Sequence, residues 1–201
     1  MVTARPLPRP APTDTDQRIL MHGMSWWQFE TILAARGDNP VPRIAYQEGT
    51  IELMSPSHRH EEKKSLLGSL VEAYCFERRI RFFPWASTTL KNPSVERGAE
   101  PDASYRFEPG GEVPDLVIEA VLTSGGLDKL QLYRELGIRE LWFWFEAGIE
   151  AYALQADAYA PIDESTMLPG LMIAELAEFA RREEVYDAIL AFRDALAARR
   201  G

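Results

Sequence analysis

Hydrophobic positions along this chain change their period several times, and each change marks a predicted element. Trp26, Trp27, Phe29, Ile32 and Leu33 recur at helical spacing behind Ser25, a suitable N-cap, until Gly37-Asp38-Asn39-Pro40 breaks the run. Residues 43–47 and 50–54 flank Glu48-Gly49 and predict a hairpin. Ser55-Pro56-Ser57 then opens a long helix reaching about Arg79, with Leu66, Leu67, Leu70, Val71, Tyr74 and Cys75 forming one broad apolar stripe. A strand is predicted over 82–90, a loop from Asn92-Pro93 to Asp102, a short strand over 103–107 and a turn at Pro109-Gly110-Gly111.

The most apolar strand is 116–122, interrupted only by Glu119. A helix over 127–136 stops at Gly137, and an aromatic strand over 141–145 turns at Ala147-Gly148 into a second over 149–154. Trp142, Phe143, Trp144 and Phe145 alternate between two faces, so they read as core and interface and not as one stacking platform. Helices over about 171–180 and 183–198 close the chain. The mixed order predicts an α/β fold, a sandwich built on one mixed β-sheet core flanked by helices. Residues 1–17, rich in Pro, Thr and Asp, read as a disordered N-terminal tail, leaving 18–201 as a single domain with C-terminal helices.

Composition narrows the function classes. The net charge of −9 weighs against a dedicated nucleic-acid-binding surface but leaves room for a local basic patch. One cysteine, Cys75, excludes an intrachain disulfide and a cysteine zinc cluster; it reads as core, and a cytoplasmic location fits. No apolar run has the roughly 20 residues needed to span a bilayer, and the N-terminus lacks a signal-peptide core, so no membrane association is expected. The aromatic strand and the amphipathic last helix offer more apolar surface than one small core needs, which predicts a homodimer.

Three residues carry the candidate chemistry. Glu119 interrupts a central strand, where an unpaired carboxylate is costly. Asp102 follows Pro101 and stands seventeen positions earlier, at the end of a neighbouring strand. Lys129 falls in the first turn of a helix, against the macrodipole, which calls for nearby carboxylates or a phosphate. Two carboxylates and an ammonium can hold Mg²⁺ or Mn²⁺ beside a phosphodiester. The polar run from His58 to Lys64 reads either as a solvated helix start or as part of the site. In the second reading His60 or Glu61 faces the metal while Arg59, Lys63 and Lys64 meet phosphates. Signature motifs for nucleotide loops, zinc proteases and serine hydrolases are missing.

The segments PDLVIEA and LDKLQLYRELGIRELWFW, with EPDASY upstream and MSPSHRHE before a long helix, resemble the Uma2 family (DUF820) across about residues 40–185. That family is placed in the PD-(D/E)XK nuclease superfamily, which implies a restriction endonuclease-like fold and Mg²⁺-dependent endonuclease activity on nucleic acid, DNA first. The resemblance puts the first acidic motif on Pro101-Asp102 and the strand acid on Glu119, the two metal ligands. It leaves Val121 where the usual lysine would stand and matches Lys129, with Tyr133 four residues on, as its replacement; Glu61 matches the helical acid. Asp115 forms a second Pro-Asp pair, but on one strand it would lie about 13 Å from Glu119. It is therefore assigned to the strand start. The competing expectations are a non-catalytic nucleic-acid-associated or assembly module, and a hydrolase of another phosphate-containing substrate.

Overall fold

The computed structural model describes residues 15–85, 88–122 and 126–199, which form eleven strands and five helices. Most of the tail expected over 1–17 lies outside the described residues, but its end needs correcting. Asp16 is buried, and Gln17 already begins a strand, β1 (Gln17–His22). Helix α1 (Trp26–Arg36) starts at Ser25 through a reciprocal capping box: the Gln28 N–H donates to the Ser25 hydroxyl and the Ser25 N–H donates to the Gln28 side chain. Strands β2 (Arg43–Gln47) and β3 (Thr50–Ser55) form the expected hairpin. Its two turn residues, Glu48 and Gly49, both have positive φ, the geometry that matches strand twist.

Helix α2 (His58–Arg78) is capped by the Ser57 hydroxyl. The strand expected over 82–90 is instead two short pieces, β4 (Phe83–Pro84) and β5 (Leu90–Asn92); 86–87 fall outside the described residues. The loop expected after Asn92 contains a further strand, β6 (Arg97–Ala99), antiparallel to β5. Then follow β7 (Ala103–Arg106), β8 (Leu116–Ala120), α3 (Lys129–Glu135), β9 (Glu140–Phe145), β10 (Gly148–Gln155), β11 (Ala158–Pro161), α4 (Ile173–Ala180) and α5 (Val185–Ala198).

The fold is mixed α/β as expected, but with two sheets where one was predicted. Sheet A is antiparallel, in the order β1-β3-β2-β6-β5. Sheet B is mixed, in the order β11-β10-β9-β8-β7-β4, with β8 and β9 parallel across the crossover that carries α3. The split follows from β1 and from the β5–β6 hairpin, which join sheet A through β3 and β2, partners distant in sequence.

Three apolar clusters hold these layers. The largest joins α2, α4 and α5 to one face of sheet B through Leu70, Tyr74, Ile118, Trp142, Trp144 and Phe192. The second joins α3 to the other face of sheet B and to Ala45, Leu90 and Ala99 of sheet A. The third packs α1 on the outer face of sheet A, where the Phe29 ring lies so close over Gly98 that any Cβ there would overlap it. Of the apolar surface read as a dimer face, Leu141, Trp142, Trp144, Phe192 and Leu196 are buried in the core, whereas Leu190 is exposed and Phe145 and Val185 partly so.

Glu140 is fully buried at the start of β9, where it ties the 164–168 loop to sheet B. It accepts from Trp142 Nε1 (2.6 Å), Ser165 Oγ (2.7 Å), Thr166 N (2.8 Å) and Oγ1 (2.6 Å), and Met167 N (3.0 Å). Glu140→Ala leaves these donors unpaired in the core and should lower unfolding stability by about 3 kcal/mol or more, at 1–3 kcal/mol per unsatisfied group. A Glu140→Ala urea midpoint equal to wild type would refute this role.

Candidate active site

Strand register brings the predicted acids together. Ala103 pairs with Ile118 in the antiparallel β7–β8 ladder, so Asp102, one residue before β7, falls opposite Glu119. Directly opposite residues share a face. Glu119 in turn pairs with Phe143 on β9, and Phe143 with Glu150 on β10. One cross-strand row thus runs Asp102, Glu119, Phe143, Glu150 on the face of sheet B that turns toward α3.

Both acids are buried, and each has its own partners. Glu119 receives the Tyr133 hydroxyl, and its Oε1 lies 3.4 Å from Lys129 Nζ. Burial, reinforced by the Glu119 carboxylate, pushes the Tyr133 phenol well above its ordinary pKa, so it stays protonated and donating. Asp102 Oδ2 accepts from Ala120 N at 2.7 Å and lies 2.9 Å from His60 Nε2, while Oδ1 pairs with Arg43 Nη1. Upstream, Glu100 fixes this segment by accepting from both terminal nitrogens of Arg36, from Ile44 N and from the Thr89 hydroxyl.

Lys129 is the first residue of α3, directly after its N-cap Asp128, whose side chain accepts from Gln131 N. Its ammonium is 3.4 Å from Glu119 and 4.0 Å from Glu52, which is the compensation that a cation at a helix start requires. Glu52 is an acid that the sequence reading missed. It sits on β3, 3% exposed, accepts from Leu127 N (3.1 Å) and pairs with Arg18 (3.4 Å). Gly126, at φ 107°, lets the connection into α3 press against it, since a Cβ there would overlap the Glu52 carboxylate. The available signal was an acid inside Ile51-Glu52-Leu53-Met54. Ordinary strand alternation assigns that acid to solvent, and only the packing of α3 and sheet B over sheet A buries it.

Other expected residues are placed differently. His60 is 1% exposed and wedged between Asp16 (Nδ1 to Oδ2, 2.9 Å) and Asp102, so it positions Asp102 and does not reach a bound strand. Burial lowers its pKa despite the opposing pull of Asp16. Glu61 is held by Arg43 (2.7 Å) and Lys64 (3.1 Å) and reaches the acids only through Arg43. Lys63 donates to the carbonyls of Ala180 (3.3 Å) and Arg182 (3.0 Å) at the end of α4, and Arg59 pairs with Glu146 at 2.5 Å. Arg59 and Lys63 therefore line a separate cavity of about 630 Å³, so their expected role on phosphates at the acids is corrected. Asp115 accepts from Phe107 N and pairs with Arg139, a strand-start role as expected.

Glu52, Glu119 and Lys129 line a cavity of about 300 Å³, whereas Asp102 lies behind Glu119 and is not part of its wall. Among the described residues, no three His, Cys, Asp or Glu side chains form a ready-made metal cage. Mg²⁺ does not need one: it is usually held by one or two carboxylates, with waters and substrate phosphate completing the shell. The donors here fit that pattern, because they are oxygen-only and the Asp102 and Glu119 positions are directly opposite on adjoining strands. Arg43, which pairs with Asp102, also has Glu61 as a partner.

The family model Uma2, described as "Putative restriction endonuclease", matches residues 26–180. The chain belongs to the Uma2 family. Among solved structures, a protein from Anabaena variabilis described as a "putative nuclease belonging to DUF820" is similar to this Uma2 chain at 17% identity and a TM-score of 0.49, covering 75% of this chain and 92% of that one. No curated protein matches the chain. Asp16 and Arg18 lie before the matched Uma2 region, yet both reach the acid cluster. No helix among the described residues is long and apolar enough to cross a membrane.

Asp16 gives a pH test. Burial acts to raise its carboxyl, but the Ser57 N–H (2.8 Å) and His60 outweigh it and hold the pKa below the ordinary value. Between the folded and unfolded values, the unfolded chain binds more protons. The stabilisation is therefore complete above about pH 4 and is lost as pH falls through the folded value. Asp16→Asn should cost about 1–3 kcal/mol at pH 7 and less at pH 3. Urea unfolding of both proteins at the two pH values checks this, and a difference that grows toward pH 3 would contradict it.

Proposed function

We propose that this Uma2 protein is a divalent-metal-dependent endonuclease that hydrolyses phosphodiester bonds in nucleic acid, with DNA as the first candidate substrate. The observation that carries the reading is the placement of Lys129 Nζ within 4.0 Å of two buried carboxylates, Glu119 and Glu52, of which Glu119 stands opposite Asp102 on the neighbouring strand. On this reading the helical Lys129 would take over the role that Val121 cannot fill on the strand.

Asp102 and Glu119 would hold Mg²⁺ or Mn²⁺, which when bound lowers the pKa of a water and offsets charge on phosphate oxygens. Tyr133, locked in its protonated form, fixes the Glu119 carboxylate. Lys129 offers a cation to the charge that develops on phosphate oxygens. His60 and Ala120 N hold Asp102 in place. Arg18 and Glu52 form the rim of the cavity on the sheet A side.

A second reading, a non-catalytic module that keeps the fold, draws on one observation: Arg43 covers the Asp102 oxygen that an ion would take. Titration calorimetry with Mn²⁺ separates the two. Equal binding by wild type and Glu119→Ala supports the module, whereas binding lost in Glu119→Ala supports the nuclease.

Asp102→Ala, Glu119→Ala and Lys129→Ala should each reduce Mg²⁺-dependent nicking of plasmid DNA by about 100-fold or more while circular dichroism shows a folded protein. Wild-type cleavage by the triple variant would sink the assignment.

A further inference from the structure

The cavity beside Glu119 has an aromatic half that phosphodiester chemistry leaves unused. Phe143 and Phe145 project from β9 to the face opposite Trp142 and Trp144, and Tyr152 joins them from β10. The Phe143 ring centroid lies 6.3 Å from Phe145 and 6.1 Å from Tyr152, the latter edge-on at 72°. Phe145 and Tyr152 are partly exposed, unlike the buried tryptophans behind them. Glu150 is exposed at the far end, and its Oε2 accepts from the Tyr152 hydroxyl at 2.9 Å. The same cavity of about 300 Å³ therefore carries Lys129 and Arg18 at one end, rings in the middle and a carboxylate at the other.

We propose that this recess takes a single unstacked nucleobase of the strand being cut, so that the substrate is single-stranded nucleic acid or a duplex containing an unpaired nucleotide. The inference rests on the nuclease reading and specifies its substrate. Aromatic rings stack on the π-face of any base. A carboxylate is an acceptor only, suited to the N–H groups on a base edge and repelled by phosphate. The cations stand at the opposite end, beside Glu119, where the phosphate would sit. Glu119, Phe143 and Glu150 lie on three consecutive strands, each step about 5 Å, so phosphate and base sites are adjacent in one row. A base stacked and paired inside a duplex cannot enter a recess of this kind without leaving the helix.

The test is fluorescence anisotropy with a labelled single-stranded 12-mer, the same backbone carrying abasic residues, and the blunt duplex, all in Ca²⁺ buffer. The base-bearing single strand should bind roughly tenfold or more tighter than either of the others. Phe145→Ala should weaken that binding by about 5- to 100-fold and leave abasic binding unchanged. Phe145→Leu, which keeps apolar volume without a ring, should fall between, with thermal melting confirming that both variants fold. Equal affinity for base-bearing and abasic strands, or an unchanged single-strand affinity in Phe145→Ala, overturns the pocket. A gain in affinity for an apolar dye with no response to any oligonucleotide also overturns it. The nuclease reading is judged separately by cleavage: Lys129-dependent nicking that treats paired and unpaired DNA alike removes the base pocket and leaves the nuclease standing.

Discussion

Two carboxylates held side by side under the surface are the constraint that organises this molecule. Asp102 and Glu119 face each other across a strand pair, and both are nearly inaccessible to water. Unpaired, each would be expensive to bury, and together they would repel. Four neighbouring elements supply compensating groups. The α3 start provides Lys129 and Tyr133, β2 provides Arg43, α2 provides His60, and the β8 backbone provides Ala120 N. The two sheets have to close on this point from both sides, because the cations come from sheet A and the helices while the acids belong to sheet B.

A comparison of the buried acids of sheet B shows what separates structure from chemistry. Glu140 accepts five hydrogen bonds, all from its own strand or the loop it anchors, and its environment leaves nothing for a ligand to do. Among the described residues, Glu119 meets the ends of two side chains, one of them an ammonium, and it lines a cavity. Burial is alike in the two, but the kind of partner differs. Alternation along β9 continues the same division, sending Trp142 and Trp144 into the helical core and Phe143 and Phe145 to the acid-bearing face.

The polar start of α2 distributes its residues among several jobs, as helical geometry demands. Residues three and four apart share a side, and neighbours do not. His60 therefore turns inward to Asp16 and Asp102, Glu61 and Lys64 make a pair beside Arg43, and Arg59 and Lys63 turn to β9 and α4. A cluster of charges adjacent in sequence thus becomes three separate structural roles, one of which reaches the acids directly.

Local pattern was sufficient for much of this. Ser25, Ser57 and Asp128 announce helix starts because their side chains cap backbone N–H groups a few residues away, and Glu48-Gly49 announces its hairpin through the φ values it tolerates. The oddness of Glu119 in an apolar strand and of Lys129 at a helix start was also legible, since both violate short-range preferences and so imply partners. The identity of those partners was not. Asp16, Arg43 and Glu52 look ordinary in their own segments, and β1 pairs with β3 and β6 with β2 through residues that no local signal names. Sequence by itself determined which residues needed compensation, because desolvation and helix polarity act over a few residues. Only the tertiary structure decided what compensates them, because burial of Glu52, wedging of His60 and the meeting of two sheets arise from contacts between segments far apart in the chain.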